Sequence, residues 1–367
     1  MNVFLESSIS SNVSDALSSM ALWNAIIACL GIILVGYFLR RKNILPQQTA
    51  SILTKVVLKV ALPALDFKGF MSVITPEKFK SALLAFVFGF IMYIFMIFFA
   101  KVLFKVVFPK MDKNRRIVFE VLFAFGSTTF FGQPIIEAVF PNAFLDSNLF
   151  NIAYRVFLYS YAYIAIANAG TLNGTDHKMT KSESVKKMFL NPIIIATLVG
   201  FVLWALQLAI GDNANVTVNG ATAVFYRIDV SLPPLYTILS KLGSLCSPLV
   251  WIAIGAKLAE IPLKQAATDK EAWIYSLLKN LALPAINILI LLLINAMGIN
   301  VSKTVVQATT IMLAAPPATV AVTYCISMDR DAVKASNCSL LSTIVAVVAI
   351  PIWVIVITIL TSGTLFA

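Results

Sequence analysis

Long stretches without charge constrain this chain more than any other feature. Seven runs of 20 or more residues contain no Asp, Glu, Lys or Arg, and they lie at 16–39, 81–100, 156–175, 188–211, 280–302, 304–328 and 335–367. A helix that crosses a bilayer needs about 20 mostly apolar residues, so each run is long enough for one span. Hydrophobic residues make up 59% of the 367 residues and charged residues only 12%, which excludes an ordinary soluble domain.

Three weaker stretches complete the set of predicted spans. The runs 121–136 and 242–256 are shorter, but each becomes a full span if the charges beside it snorkel or face the protein interior. The stretch 47–71 is interrupted by four charged residues and is otherwise largely apolar. The sequence therefore predicts an all-α integral membrane protein with ten transmembrane helices.

The charges in the loops predict the orientation of the chain. Lys and Arg number 28 against 17 Asp and Glu, a net charge of +11. Most of the basic residues fall in one set of alternate loops, which the positive-inside rule places in the cytoplasm. Both termini are then extracellular, including the N-terminal segment 1–20, and we expect the protein in the plasma or inner membrane of the cell.

Two other interpretations of the basic balance fail. Charges spread over short loops do not form the single basic face that nucleic-acid binding needs, so we expect no nucleic-acid partner. The segment 1–20 has no basic residue and therefore lacks the positive region of a signal peptide. The first predicted helix is thus expected to stay in the membrane.

The loop 171–189 divides the predicted spans into two groups of five. It contains His177 and four lysines and is expected to be a cytoplasmic linker between one half at 21–170 and another at 190–362. A duplicated unit with an odd number of helices inserts its second copy upside down. The count therefore predicts two inverted five-helix repeats, the arrangement of many secondary transporters.

Helix-breaking residues occur at matching places in the two halves. The fourth predicted span contains GSTTFFGQP (126–134), and the ninth, which is fourth in its half, contains AAPPAT (314–319). Either break alone is consistent with a kink, which membrane helices tolerate. Paired interruptions point instead to a binding site at the bilayer midplane. There, Pro134 and Pro317 would start half-helices whose free amides suit an anion.

Four charged residues in or beside the spans are candidates for binding or coupling. Arg155, with Tyr159 on the next turn, either snorkels to lipid headgroups or grips a carboxylate with its two-pronged guanidinium, and we favour the second. Lys279 has a weaker case of the same kind. Glu120 and Glu137 flank the first break and could carry a coupling proton, although an interfacial carboxylate explains each of them at least as well.

No catalytic or nucleotide-binding motif occurs in the sequence. One histidine and four cysteines without CxxC spacing provide neither a metal site nor a catalytic triad. We therefore expect no enzymatic activity, no cofactor and no metal. Any transport would draw its energy from gradients rather than from ATP.

These motifs resemble those of the auxin efflux carrier family. The sequence FGSTTFFGQPII (125–136) is similar to the GNTGFLGIPL break of that family. Further similar segments are LPAL (62–65), NPII (191–194), AAPPAT (314–319), DAVKAS (331–336) and IPIW (350–353). The resemblance thus spans nearly the whole chain, and its C-terminal part is the most specific.

The resemblance implies a transporter whose proline-broken fourth and ninth helices cross at the midplane and form the substrate site. It also implies a scaffold of the first, second, sixth and seventh helices, often the interface of a homodimer. The remaining helices would form a transport domain that moves like an elevator. The short linker is similar to that of compact bacterial members, which include permeases for malate and malonate.

Two departures from the family motif bear on the substrate. The Asn that helps to hold the carboxylate in auxin carriers is Ser127 here, and the apolar residue before the proline is Gln133. Together with Arg155 they make a more polar and more cationic site than an indole-bearing monoacid needs, so we expect a small dicarboxylate such as malate or malonate. The candidate binding residues are Ser127, Thr128, Thr129, Gln133, Pro134, Arg155, Tyr159, Pro316, Pro317, Ala318 and Thr319.

Three alternatives stay open on the sequence. The chain could carry an auxin-like aromatic monocarboxylate, couple an organic anion to sodium, or act as a membrane sensor that no longer transports. No dense cluster of acids lies near the two breaks. We therefore expect proton coupling, uniport or exchange rather than sodium coupling.

Overall fold

The computed structural model describes residues 20–169, 190, 192–210, 215–218, 220–260, 266–363 and 365–366. The linker 171–189, and the N-terminal segment 1–20 apart from Met20, lie outside the described residues. The described helices are α1 Met20–Arg41, α2 Thr49–Val56, α3 Leu62–Gly69, α4 Pro76–Val107, α5 Lys113–Ala124, α6 Gln133–Val139, α7 Phe144–Phe157, α8 Tyr163–Asn168, α9 Pro192–Ile210, α10 Ile228–Ser231, α11 Pro233–Ser244, α12 Cys246–Glu260, α13 Lys270–Leu277, α14 Leu283–Ala296, α15 Lys303–Ala314, α16 Thr319–Ser327 and α17 Ala332–Ser362.

Six helical stretches in the described chain are long and apolar enough to cross a membrane. Some of them join two or three of the helices above through short turns, and they run over Pro76–Val107, Pro141–Asn168, Pro192–Ile210, Pro233–Glu260, Lys270–Ala296 and Ala332–Ser362. Backbone polar groups inside a bilayer must be paired within the chain, which a helix achieves by itself. The all-α, multi-pass membrane class predicted from the sequence is thereby confirmed.

Three of these stretches continue past charges that we took as the ends of spans. Arg155 lies near the middle of Pro141–Asn168, Lys241 lies inside Pro233–Glu260, and Lys279 lies inside Lys270–Ala296. The side chains of Arg155 and Lys279 are buried, at 2% and 0% exposure. A helix can continue past such charges because they face protein instead of lipid.

A small β-hairpin departs from the purely helical prediction. Strands β1 (Asn215–Val218) and β2 (Ala221–Val224) pair antiparallel, with Asn215 opposite Val224. Gly220 in the turn has φ +80°, a conformation that glycine adopts without steric cost. The hairpin lies between α9 and α10, where alternating small and β-branched residues favour strands.

Short π-helical turns interrupt several of the helices. They lie at Val57–Ala61, Thr128–Gly132, Leu158–Ala162 and Leu278–Ala282. Three of them are followed within two residues by a proline, namely Pro63, Pro134 or Pro284. Proline lacks the amide that would pair with the carbonyl four residues earlier, and a wider turn relieves the resulting clash. Such turns redirect the side chains that follow.

One compact unit of the chain comprises Gly31–Leu83 and Lys186–Glu260. In this unit α1 and α12 meet at backbone distance. A Cβ atom placed on Gly255 would lie 1.9 Å from the carbonyl oxygen of Ile33, so no larger residue fits without moving a helix. The same unit buries Asp66, which accepts a hydrogen bond from the Thr197 hydroxyl at 3.1 Å.

The other compact unit comprises Leu84–Val185 and Ile261–Ala367, together with the start of α1. Its core includes a cluster of rings in which Phe104 contacts Phe119, Phe123 and Tyr275, with centroids 5.4–6.0 Å apart. This unit contains α5 and α6 as well as α15 and α16, the helices that carry both sequence breaks. The candidate site is therefore built within a single unit.

Candidate functional site

The two interrupted helices pair with each other through their non-helical links. After α5 and again after α15, the chain runs extended for three or four residues before helix resumes. The Ser127 amide donates to the Pro316 carbonyl at 2.6 Å, and the Ala318 amide donates to the Phe125 carbonyl at 2.9 Å. These bonds form an antiparallel bridge. Main-chain groups that the breaks release are thus paired inside the protein, as a membrane interior requires.

Glycine allows the two links to approach so closely. A Cβ atom on Gly126 would lie 3.2 Å from the carbonyl oxygen of Ala315 and 3.3 Å from Nζ of Lys279. On Gly132 it would lie 2.9 Å from Sδ of Met312. The glycines that made the fourth span look broken in the sequence therefore serve close backbone packing.

Helix resumes differently after the two links. After the first, the π turn Thr128–Gly132 leads into α6, whose first turn contains Pro134. Proline is well placed there because the first amides of an α-helix have no partner within the helix. After the second link, α16 starts at Thr319, so Pro317 lies in the extended link and not at a helix start. In both cases a helix starts after the crossing, so its N-terminus with the partial positive charge of the helix dipole lies there.

Helix α7 presents a polar stripe in its buried part. Asn148, Asn151 and Arg155 follow each other at spacings of three and four residues, which places them on one face of the helix. All three are buried, at 0–2% exposure. Gln133, at the start of α6, donates from Nε2 to Oδ1 of Asn148. The hydrogen bond joins the stripe to the helix that follows the first break.

Several buried polar atoms near the first break have no hydrogen-bond partner among the described residues. They are the hydroxyls of Tyr93, Thr128 and Thr129 and both amide atoms of Asn151. The Thr128 hydroxyl lies close to the phenols of Tyr93 and Tyr154, but without the geometry of a hydrogen bond. An unsatisfied buried polar group costs about 1–3 kcal/mol. These four side chains place several polar groups in the interior next to the first break.

Tyrosine rings line the same region. The ring of Tyr93 stacks on Phe125 with centroids 5.7 Å apart and lies 5.9 Å from Tyr154. Further along the helical stretch, Tyr163 meets Tyr324 of α16 edge to face at 5.2 Å. Tyr159 is half-buried and interacts electrostatically with Tyr154 and Tyr324.

The remaining predicted residues lie around this region. Ser127, Thr128, Thr129, Gln133 and Pro134 are buried after the first break, and Pro316, Pro317 and Ala318 are buried in the second link. Thr319 is exposed at the start of α16. The structure thus gathers the residues of both links in one place.

The three candidates for coupling have different surroundings. Glu120 is 9% exposed, and its Oε1 lies 3.8 Å from Nε of Arg116 one turn earlier on α5. Glu137 is half-buried on α6. Lys279 is fully buried, and its Nζ donates to the carbonyl oxygen of Phe123 at 2.7 Å. Lys279 lies at the crossing, since a Cβ atom placed on Gly126 would be 3.3 Å from its Nζ.

Sequence reasoning missed several uncharged residues of this region. Tyr93, Asn148 and Asn151 lie on helices next to the first break, and Asn280 contacts the end of α15. A usable signal was present, because amide side chains are costly in apolar segments and tend to face partners there. The spacing of charged residues alone does not identify these uncharged side chains.

Apolar helices that cross the membrane several times, together with a buried polar site at two crossed broken helices, define a multi-pass membrane transport protein. Residues 21–354 match the membrane transport protein family, which is the auxin efflux carrier family, and the chain belongs to it. An uncharacterized transporter of Methanothermobacter thermautotrophicus is 23% identical over 337 residues, which cover 90% of this chain and 97% of that protein. A transporter is not an enzyme, as the sequence predicted.

Proposed function

We propose that this chain is a secondary transporter of small organic acid anions, with a dicarboxylate such as malate or malonate as the substrate. The observations that carry the proposal are the crossing of the two links at Gly126 and Pro317 and the buried guanidinium of Arg155, which follows Tyr154, a residue whose ring lies 6.4 Å from that of Phe125. Two helix starts supply amides and positive dipole ends there. A doubly charged anion suits this combination better than a neutral or cationic solute.

Polar residues of the site support the choice of a dicarboxylate. Arg155 can bind one carboxylate in two-pronged fashion, while the hydroxyls of Thr128 and Thr129 are free to donate to another. The tyrosine rings near Phe125 favour an aromatic monocarboxylate as the second candidate, because an indole ring stacks well on such surfaces. A dicarboxylate needs a second cationic or hydroxyl contact for its second carboxylate group, whereas an aromatic monocarboxylate does not.

The proposed mechanism is alternating access of the elevator type. In this proposal ten spans form two inverted repeats, and the unit with both broken helices carries the substrate past a scaffold that dimerises. Support comes from the way the chain divides, since each compact unit combines segments from both halves of the sequence. Inverted repeats in transporters produce such units.

Uptake into proteoliposomes tests the proposal. Purified protein is assayed with labelled malate, malonate, lactate and indole acetate. We expect malate or malonate to be taken up, and Arg155→Gln to reduce that uptake about tenfold because a charge-assisted carboxylate contact is lost. Arg155→Lys keeps the charge without the planar fork and should fall between the two.

Lys303→Gln serves as the matched control for loss of one positive charge. Lys303 begins α15 at the end opposite the crossing, so its removal should leave uptake unchanged. Uptake of indole acetate alone would favour the aromatic monocarboxylate, and unchanged uptake in Arg155→Gln would contradict the assigned role. Binding without uptake of any acid would indicate a sensor.

A further inference from the structure

Lys279 is a fully buried lysine in the middle of a membrane-spanning stretch. It lies in the π turn Leu278–Ala282, and none of its side chain is exposed. No described carboxylate forms an ion pair with it. Burial of an ammonium group is costly unless its surroundings compensate the charge. The positive charge must therefore be compensated by neutral groups that carry a partial negative charge, such as carbonyl oxygens.

A main-chain carbonyl group pairs with the ammonium. Nζ donates to the carbonyl oxygen of Phe123 at 2.7 Å and lies 5.7 Å from the centre of the Phe123 ring, a cation–π distance. A Cβ atom placed on Gly126 would lie 3.3 Å from this Nζ, 3.2 Å from the carbonyl oxygen of Ala315 and 3.5 Å from that of Met312. Phe123 belongs to the last turn of α5, and Met312 belongs to the last turn of α15.

The next residue completes a contact with both broken helices. Asn280 donates from Nδ2 to the carbonyl oxygen of Ala314 at 2.7 Å, while its own Oδ1 accepts from the Ser342 hydroxyl. Its main-chain carbonyl accepts from Nε1 of Trp353 at 2.8 Å, because Pro284 has no amide to offer it. The π turn thus directs two successive side chains to the carbonyl ends of α5 and α15.

Both of those helix ends carry negative charge. Four carbonyl groups at the C-terminus of a helix lack partners within it, and the helix dipole adds about half a negative charge there. Two such ends meet at the crossing, opposite the amide ends that suit an anion. In transporters with broken helices, carbonyl ends of this kind coordinate sodium. Here the ammonium of Lys279 lies at the carbonyl end of α5, and the amide of the next residue, Asn280, lies at that of α15.

We propose that the Lys279 ammonium is the resident cation of the transport site, and that it makes transport independent of sodium. The inference rests on the proposed transport function and specifies its ion requirement. The ammonium neutralises the carbonyl ends of both broken helices, so that the substrate anion is the only ligand that has to bind. Local sequence does not explain the burial, since Lys59 lies in a similar π turn before Leu62 and Pro63 and is exposed.

Charge and hydrogen bonding are separated by the choice of variant. Lys279→Gln keeps a donor that can reach the Phe123 carbonyl but removes the charge. Lys279→Arg keeps the charge in a larger group, and Lys279→Met removes both charge and donor. Lys303→Gln is the control for the loss of one lysine. Substrate uptake and melting temperature are measured in sodium chloride at about 100 mM and in the N-methyl-D-glucamine salt.

Wild-type uptake is expected to be the same in both salts. In the sodium-free salt, Lys279→Gln and Lys279→Met should lose uptake about tenfold, while Lys279→Arg keeps most of it. Sodium should raise the melting temperature of Lys279→Gln without substrate, because the uncovered carbonyl ends then bind the ion, and should not raise that of the wild type. If Lys279→Gln is not recovered folded, Lys279→Met and Lys279→Arg provide the same comparison.

Failure of this inference can be told apart from failure of the proposed function. Wild-type uptake that requires sodium would overturn the role of Lys279 while leaving organic acid transport intact, and so would full activity of Lys279→Gln in the sodium-free salt. Absence of any organic acid uptake by the wild type would overturn the proposed function. The sodium-dependent melting of Lys279→Gln would then still decide whether the ammonium holds a cation site.

Discussion

Arg155 and Lys279 are two buried cations whose surroundings differ. Arg155 belongs to the polar stripe of α7, which is joined to the start of α6 through the hydrogen bond from Gln133 to Asn148. Lys279 contacts the carbonyl end of α5. A guanidinium with several planar donors suits a carboxylate, whereas a compact ammonium suits converging carbonyl oxygens. The ammonium of Lys279 therefore agrees with the negative polarity of the helix end that it contacts.

Gly126 is a residue of the crossing at which we expect little tolerance for a side chain. Alanine there would place a Cβ atom 3.2 Å from the Ala315 carbonyl and 3.3 Å from Nζ of Lys279, tighter than ordinary contacts. We expect Gly126→Ala to lower the free energy of unfolding by about 1–3 kcal/mol and to reduce uptake. Thermal unfolding of the detergent-solubilised protein measures the first effect.

Gly31→Ala is the matched control for this substitution. A Cβ on Gly31, which lies within α1, would meet no atom within 4 Å. Alanine is the better helix former, so this variant should be as stable as the wild type or slightly more stable. Equal destabilisation of both variants would contradict the steric argument at the crossing.

At the scale of helices, the sequence predicts what depends on composition and misses what depends on distant contacts. Long uncharged runs identify α4, α9 and α17, because any span must be apolar along its length. The uncharged run 156–175 marks only the later part of another span. The helical stretch begins at Pro141 and buries Asp146 and Arg155, so a charge is a poor boundary where it faces protein.

The candidate site shows the same division. Glycine and proline mark the breaks in the sequence, because their backbone requirements are local. Asn280 could not be assigned in this way, since its partners Ala314 and Ser342 lie more than 30 residues away in sequence. Tyr93 could not be assigned either, because only the fold brings it next to Phe125 and Thr128.

The start of α13 is held to α17 by a charged cluster, which gives a prediction about pH. Asp269 caps α13 through the Ala272 amide and accepts from Nζ of Lys334 with both carboxylate oxygens at 2.9 Å, and from Asn337. Partial burial raises the pKa of Asp269, but the hydrogen bonds from Lys334, Asn337 and Ala272 outweigh it and lower the pKa. The ionised carboxylate therefore stabilises the fold.

Asp269→Asn should accordingly lower the free energy of unfolding by about 1 kcal/mol at neutral pH. A lowered pKa means that the stabilisation is complete above the ordinary carboxyl pKa of about 4 and is lost as pH falls through the lower value in the folded protein. The melting temperatures of wild type and variant should thus converge only in strong acid. A difference that stays constant from pH 7 to about pH 3 would contradict this sign, and Lys270→Gln, at an exposed neighbour, is the control.

At the scale of the molecule, the division into units does not follow the order of the chain. Each unit combines segments from both halves of the chain, although the sequence repeats were predicted as the contiguous halves 21–170 and 190–362. The two compact units and the two contiguous repeats are compatible if both repeats contribute equivalent helices to each unit. Such interleaving lets a pair of broken helices from different halves form one site.

Orientation in the membrane is a property of the whole chain, and the two ends of α4 test it. With 32 residues, α4 is about 48 Å long, well beyond the roughly 30 Å of a bilayer core. Its ends must therefore emerge on opposite sides. Val73 and Lys110 are exposed just outside them, and Lys110 lies in one of the loops rich in lysine and arginine that we expect in the cytoplasm.

Single cysteines at these positions should react differently with a membrane-impermeant maleimide. Val73→Cys is expected to be labelled in intact cells, and Lys110→Cys only after permeabilisation. The parent chain is the background control, in which Cys246, Cys325 and Cys338 are buried. Labelling of Lys110→Cys alone in intact cells would reverse the proposed orientation, and equal labelling of both would show that α4 does not span the membrane. Only the expected pattern would place the lysine- and arginine-rich loops on the cytoplasmic side. The start of α5, which follows one of these loops, would then be cytoplasmic as well.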